Sequence, residues 1–172
     1  KVHRMMGAVL FIFFFVVAIT GVLLGWKKNT NGWLLPVTSK GTSTNLAIWK
    51  PIAALHTIAD SVLLNQVDKT LSTDLDRIDI RKEKGIVKFV YAKHYWEVQL
   101  DGATGNVLQV NLRKSDFIED IHDASYLDTY FNTKGEPIKL TYTLIMGVAL
   151  FLFCTTGFWL WYGPKLLRNK KK

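Results

Sequence analysis

The chain has 172 residues, of which 49% are hydrophobic, and it carries a formal net charge of +8. Residues 27–139 contain 15 Lys and Arg against 14 Asp and Glu, so this central part nets only +1. A nucleic-acid-binding face needs clustered positive charge, and the nearly neutral centre argues against one. Because Cys154 is the single cysteine, an intrachain disulfide is excluded as well.

Two long stretches lack charged side chains, residues 5–26 at the start and residues 140–162 near the end. As helices they would reach about 33 to 35 Å, enough to cross a hydrocarbon core of roughly 30 Å. The first stretch is too long for a signal peptide and ends in LLGWKK without a small-residue cleavage pattern. The sequence therefore predicts two transmembrane helices in a lipid bilayer.

Basic residues flank both helices on their outer sides. The short N-terminal segment 1–4 and the tail 163–172 contain Lys1, Arg4, Lys165, Arg168, Lys170, Lys171 and Lys172. Basic residues close to a membrane helix mark its cytoplasmic end. This pattern predicts that both termini are cytoplasmic and that residues 27–139 form an exported domain.

The exported domain begins with a helical pattern. After a loop rich in Thr, Asn and Gly, apolar residues recur at gaps of three and four: Ile48, Ile52, Leu55, Ala59 and Val62. Such spacing indicates an amphipathic helix, and Pro51 fits best in its first turn.

The pattern then changes to the alternation of β-strands. The segments DLDRIDIR, IVKFVYAK, HYWEVQL and NVLQVNLR follow one another, with KEKG and DGATG as turns. They predict a small antiparallel sheet with the helix packed on one face. A second, short helix is predicted in SDFIEDIHDASYLDTYF, with Ser115 as its N-cap. The fold class is thus an α+β domain flanked by two transmembrane helices.

Small residues in the membrane helices indicate close helix packing. Gly21 and Gly25 form a G-x-x-x-G pair, which lets another backbone approach, and Gly147 or Gly157 of the second helix are candidate partners. A neighbouring subunit is the alternative partner. Thr20-Gly21 also resembles Thr156-Gly157.

The order of several motifs resembles a known family. KVHRMMG opens a membrane helix that closes with ITG, VQLDGATGNVLQV lies in the sheet, and IEDIHDASYLD precedes a helix with TTGFWLW. This order is similar to that of PepSY domain proteins with PepSY-associated transmembrane helices. In that family D-x-x-T-G is the domain's hallmark, and H-R-x-x-G and I-H-D mark the membrane-associated subgroup.

The resemblance implies a bacterial inner-membrane protein whose PepSY-like domain is periplasmic. PepSY modules also occur in propeptides of thermolysin-type peptidases, and larger membrane relatives look like b-haem ferric-siderophore reductases. Three functions follow as alternatives. The first is a non-catalytic accessory or regulatory subunit of an envelope assembly, linked by analogy to transport or iron uptake. The others are a haem b electron-transfer subunit and an envelope peptidase inhibitor.

His3 is the candidate haem ligand, and an interfacial residue near lipid headgroups is the other interpretation. A b-haem usually takes two imidazoles, and the only histidine near the second helix, His122, is predicted on the exported side. Haem binding would thus need a second copy of the chain or another membrane subunit.

His122 is the candidate metal ligand, since it lies among Glu119, Asp120 and Asp123. A polar helix face is the alternative interpretation of this cluster. His94, Tyr95 and Trp96 form a candidate binding surface, which a sheet face packed on the helix explains equally well. The sequence contains no recognisable catalytic constellation, which favours a protein that is not an enzyme.

Overall fold

The structure, a computed structural model, describes residues 2–169. Its helices are α1 (Val2–Trp26), α2 (Ile52–Gln66), α3 (Lys114–His122), α4 (Ser125–Phe131) and α5 (Pro137–Asn169). Its strands are β1 (Leu75–Arg81), β2 (Ile86–Tyr91), β3 (Trp96–Asp101) and β4 (Val107–Leu112). The chain divides into two compact units, one of Gly25–Phe117 and one of the residues up to Leu24 together with those from Ile118 onward.

The unit Gly25–Phe117 is built on an antiparallel sheet in the order β1-β2-β3-β4. Phe89 in β2 lies opposite Ile78 on one side and opposite Val98 on the other. Each strand pairs with its sequence neighbour, so the turns predicted at KEKG and DGATG connect them directly. The predicted α+β fold with a four-stranded antiparallel sheet is confirmed.

Helix α2 covers one face of this sheet. Its residues Leu55, Ala59 and Leu63 are fully buried against Phe89 and Val98. The spacing of four between these residues is the amphipathic stripe that the sequence predicts. Pro51 precedes the helix as its N-cap rather than lying in the first turn.

The other face of the sheet is polar and nevertheless buried. Segment 34–44 is bonded to it: the Ser39 backbone N–H donates to Gln99 Oε1 at 2.9 Å, and Gln99 Nε2 donates to the Val37 carbonyl at 3.1 Å. Gln99 is therefore shielded from water although the strand alternation places it on the solvent side.

In the other unit, α1 and α5 are both long and apolar enough to cross a membrane. Helix α5 has 33 residues and continues past the predicted end at Tyr162 to Asn169, with Pro164 inside it. At its start, the buried Asp128 of α4 accepts hydrogen bonds from the backbone N–H groups of Ile138 and Lys139 at 3.1 and 2.8 Å. A carboxylate thus satisfies donors that the first helical turn leaves without intrahelical partners.

The single short helix predicted after the sheet is instead two helices, α3 and α4. They are separated at Ala124, whose φ of +65° lies in the left-handed region. The Ser125 backbone N–H and hydroxyl both donate to Asp123 Oδ1, at 3.0 and 2.6 Å, and fix the break. The assignment of Ser115 as N-cap is wrong, because α3 begins at Lys114.

Candidate functional site: histidines bonded to Thr-Gly pairs

His3 in the first turn of α1 is bonded to a threonine of α5. The distance from His3 Nδ1 to Thr156 Oγ1 is 2.9 Å. The Thr156 hydroxyl also donates back along its own helix to the Leu152 carbonyl at 2.6 Å. The imidazole packs on Phe153, with 4.3 Å between ring centroids. We call His3, Thr156 and Gly157 the Thr156 site.

His122, at the end of α3, makes the same contact with a threonine of α1. The distance from Thr20 Oγ1 to His122 Nδ1 is 2.8 Å, and the Thr20 hydroxyl donates to the Val16 carbonyl at 2.7 Å. Thr20 is buried. We call His122, Thr20 and Gly21 the Thr20 site.

The glycine after each threonine lies beside the imidazole. A Cβ added at Gly157 would lie 3.4 Å from His3 Cε1, and one at Gly21 would lie 3.7 Å from His122 Cε1. Gly7 has a related role, since a Cβ there would lie 3.1 Å from Phe153 Cζ. Alanine at Gly7 would therefore press on the Phe153 ring, whereas at Gly157 and Gly21 the added Cβ would be in ordinary van der Waals contact with the imidazole.

Gly25 and Gly147 differ from these glycines. Among the residues that the structure describes, no heavy atom beyond their own helical surroundings lies within 4 Å of a Cβ placed at either one. Their role in helix packing stays a prediction.

The two sites are far apart along α1. Thr20 follows His3 by 17 positions, which is about 25 Å of helix. A haem iron binds its two axial imidazoles on opposite sides of one atom, so His3 and His122 of one chain do not fit one haem. If haem bound, one chain would supply one imidazole to it, and the second ligand would come from a second copy or another subunit. Haem binding by His3 stays a prediction.

Asp123, the carboxylate next to His122, helps to hold the loop between α3 and α5. Asp123 forms an ion pair with Lys139 at 3.1 Å and accepts two hydrogen bonds from Ser125. Burial alone would raise the pKa of Asp123, but these bonds outweigh it and hold the pKa below its usual 3.8. In the described part of the chain, no group of three His, Cys, Asp or Glu residues is placed to hold a metal ion. A metal at His122 stays a prediction.

His94, Tyr95 and Trp96 lie at the turn between β2 and β3. His94 Nε2 is 2.9 Å from the Ser72 carbonyl, and Tyr95 packs edge-on against Phe117 at 5.7 Å. Trp96 is partly buried against the hydrophobic core. All three have structural contacts, and their use as a binding surface stays a prediction.

The D-x-x-T-G turn, which begins at Asp101, is held together by the Asp101 carboxylate. Asp101 accepts from the backbone N–H groups of Ala103 and Thr104 at 2.8 and 3.1 Å. It also accepts from the Thr42 N–H and hydroxyl at 2.8 and 3.1 Å. A Cβ at Gly102 would lie 2.4 Å from the Trp49 ring, so glycine is needed there. The motif therefore fastens the segment around Thr42 to the sheet.

Acid is expected to destabilise the unit Gly25–Phe117 through Asp101. Burial alone would raise its pKa, but the hydrogen bonds from Thr104, Thr42 and Ala103 outweigh it, so the folded pKa lies below 3.8. A carboxyl with a lowered pKa stabilises the fold above its unfolded pKa, and this contribution is lost as pH falls through the folded pKa. Thermal unfolding of the full chain in detergent from pH 7 to pH 3 measures it, and Asp101→Asn should flatten the profile. An unchanged slope in that variant would contradict this origin.

A buried ionic cluster also lies on the polar face of the sheet. Glu97 is 1% exposed and pairs with Lys88 and Arg113, and Arg113 Nε donates to Asp116 at 2.7 Å. Arg77 extends the cluster to the surface by donating to Asp116 at 2.7 Å. Sequence alternation missed this cluster because it assigns these positions to solvent.

The chain thus combines an α+β unit with two helices that are long and apolar enough to cross a membrane, and a histidine contacts each of these helices. The model of the PepSY-associated TM region matches residues 1–172, the whole chain, and the chain belongs to that family. No curated protein and no solved structure matches it.

Proposed function

We propose that the chain is a non-catalytic subunit of a bacterial envelope assembly, in which it has an accessory or regulatory role. The observation that carries this proposal is that each family motif makes a structural contact in this chain. His3 and Gly7 of H-R-x-x-G contact α5, and His122 of I-H-D contacts α1. Asp101 of D-x-x-T-G fastens a loop. Motifs that stabilise the membrane helices and the domain, rather than forming a catalytic site, support a binding role. The link to transport or iron uptake is an analogy with relatives.

In this proposal α1 and α5 cross the inner membrane, both termini are cytoplasmic and the PepSY domain is periplasmic. The basic residues at the outer ends of both helices support that orientation. A membrane-impermeant maleimide tests it in a Cys154→Ala background. Lys69→Cys should react in intact cells whose outer membrane is permeable, and Lys165→Cys only after lysis. The reverse labelling would contradict the orientation.

An accessory subunit is expected to purify with a stoichiometric membrane partner or as a homodimer. Gly147 offers an open site for close approach, since leucine there would fill space that the described residues of this chain leave empty. Purification from native membranes in mild detergent, with mass measurement of the complex, is the test. Gly147→Leu should reduce the recovered partner several-fold, whereas Val148→Leu, at an adjacent exposed position, should not. A chain that elutes alone as a monomer would contradict the accessory role.

A second function, haem b binding for electron transfer to ferric siderophores, is favoured by one observation. Both imidazoles are held by Nδ1, which leaves Nε2 as the nitrogen for a ligand. Bound haem would supply one-electron chemistry, and His3 or His122 would each provide one axial ligand, with the other from a second copy or subunit. Absorption spectra of the oxidised and dithionite-reduced protein, purified with its native partners, test it. A featureless spectrum would reject this function.

A further inference from the structure

The hydroxyl group of each site threonine is already committed as a donor. Thr156 Oγ1 lies 2.6 Å from the Leu152 carbonyl, and Thr20 Oγ1 lies 2.7 Å from the Val16 carbonyl. A hydroxyl has one hydrogen and two lone pairs. Once that hydrogen points to the carbonyl, the oxygen can only accept from the imidazole.

The imidazole nitrogen that faces the threonine must therefore carry a hydrogen. His3 Nδ1 is 2.9 Å from Thr156 Oγ1, and His122 Nδ1 is 2.8 Å from Thr20 Oγ1. If Nδ1 had a lone pair instead, the hydroxyl would have to leave its carbonyl to donate to the ring. In a membrane-embedded helix such a lost hydrogen bond is costly, because no water replaces it.

We infer that Thr156 and Thr20 are positioning residues that fix His3 and His122 in the Nδ1–H tautomer, so that each neutral ring presents an unprotonated Nε2. Such a nitrogen is a ligand for a transition-metal centre or an acceptor for a proton. Where the metal centre is haem iron, the inference rests on the second proposed function, whereas the tautomer itself does not.

The two sites are arranged reciprocally, which supports the same role for both threonines. The histidine at the start of α1 is held by the Thr-Gly pair of α5, and the histidine preceding α5 is held by the Thr-Gly pair of α1. In both sites the glycine that follows the threonine lies beside Cε1 of the ring, Gly157 beside His3 and Gly21 beside His122. Because the sites are about 25 Å apart along α1, they are two independent single-imidazole sites.

Nitrogen-15 NMR of the metal-free full chain in lipid nanodiscs tests the tautomer. Spectra are recorded near pH 8.5, where an ordinary histidine with a pKa near 6.5 is neutral. Histidines are assigned with His3→Gln and His122→Gln. In the wild type both rings should show a protonated Nδ1 and an unprotonated Nε2.

The threonine variants supply the decisive comparison. Thr156→Val should shift His3 toward the Nε2–H tautomer and leave His122 unchanged. Thr20→Val should shift His122 toward the Nε2–H tautomer and leave His3 unchanged. Thr156→Ser keeps the hydroxyl and should show the wild-type pattern. Thr155→Val is the matched control, because Thr155 bonds only to the carbonyls of its own helix among the contacts described. An Nε2–H wild type, or a His3 signal indifferent to Thr156→Val, would overturn the inference.

A titration of the same samples with ferric haem separates this inference from the second proposed function. If haem binds, Thr156→Val should weaken the affinity of the Thr156 site for haem roughly 10-fold or more, which is the usual effect of losing a hydrogen bond that orients a ligand. Absence of haem binding in the wild type and in its native complex rejects the haem function, while the NMR result still decides the role of the threonines.

Discussion

Replacement of Glu97 by alanine is expected to lower the free energy of unfolding by about 3 to 5 kcal/mol, the usual effect of breaking a buried ion pair. Glu97 is 1% exposed, and its carboxylate accepts from Gln99 Nε2 at 2.6 Å and pairs with Lys88 and Arg113. Without it, Lys88 loses its carboxylate partner inside the fold, and Arg113 keeps only its ion pair with Asp116. Chemical denaturation of the full chain in detergent, followed by tryptophan fluorescence, measures the loss.

Burial and the Glu97 carboxylate act in opposite directions on the pKa of Lys88. Burial lowers the pKa of Lys88, and Glu97 counteracts that effect. In Glu97→Ala the pKa of Lys88 should fall further, so the variant should lose less stability at alkaline pH than at pH 7.

Two further variants keep this prediction testable. Glu83→Ala removes the same group from an exposed position in the unit and should change stability by no more than about 0.5 kcal/mol. If Glu97→Ala does not fold, Glu97→Gln retains the shape and part of the hydrogen bonding and should show an intermediate loss. A Glu97→Ala protein as stable as Glu83→Ala would show that the cluster does not stabilise the fold.

Replacement of Lys88, Glu97 and Arg113 together by methionine, leucine and methionine should restore much of this loss. Removing both signs of charge avoids an uncompensated buried ion, and such exchanges are often neutral or stabilising. Partial recovery would assign the effect of Glu97→Ala to stranded cations rather than to lost packing.

Local periodicity was sufficient to predict most of the sheet and α2. Val98 and Leu100 in β3 are buried, and Leu55 begins the buried stripe of α2, as the sequence pattern predicts. Ile78 and Ile80 lie in the predicted strand β1, but both side chains remain exposed. These features depend on neighbours within one element. The burial of Gln99 depends instead on segment 34–44, some sixty residues away in the chain, and alternation carries no information about such a cover.

The break between α3 and α4 shows another limit of sequence patterns. Glycine or proline would have marked it, but the chain has Ala124 at the left-handed position and uses Ser125 and Asp123 to stabilise it. Helical spacing continues across the break, so the pattern predicts one helix.

The sequence predicts the individual residues of the candidate sites but not the contacts between them. His3 and His122 stand out by their positions, and the likeness of the two Thr-Gly pairs is visible in the sequence. The contacts themselves are long-range: His3 and Thr156 are 153 positions apart in the chain, and Thr20 and His122 are 102 positions apart. The approach of α1 to α5 brings His3 to Thr156, and the approach of the end of α3 to α1 brings His122 to Thr20.

The second large effect is expected at Gly41, where segment 34–44 meets the turn before β2. A Cβ at Gly41 would lie 2.2 Å from the Gly85 carbonyl oxygen, which is backbone and cannot rotate away. The Gly41 N–H also donates to the Lys84 carbonyl at 2.7 Å, so the two segments cannot separate without losing this bond. Gly41→Ala should therefore cost at least about 2 kcal/mol of unfolding free energy, in the range of overpacked cores.

The loss of stability in Gly41→Ala should exceed that of simple overpacking because Gly41 is next to a residue that holds the D-x-x-T-G turn. Thr42, the next residue, carries the two hydrogen bonds to Asp101, so displacement of Gly41 should release the D-x-x-T-G turn as well. A double-mutant cycle with Asp101→Ala tests this coupling. If Gly41 and Asp101 act as one unit, the double variant should lose less than the sum of the single losses, with an interaction energy of about 0.5 to 3 kcal/mol. Additive losses would show that Gly41 and the turn stabilise the sheet independently, and a Gly41→Ala protein of wild-type stability would contradict the close approach itself.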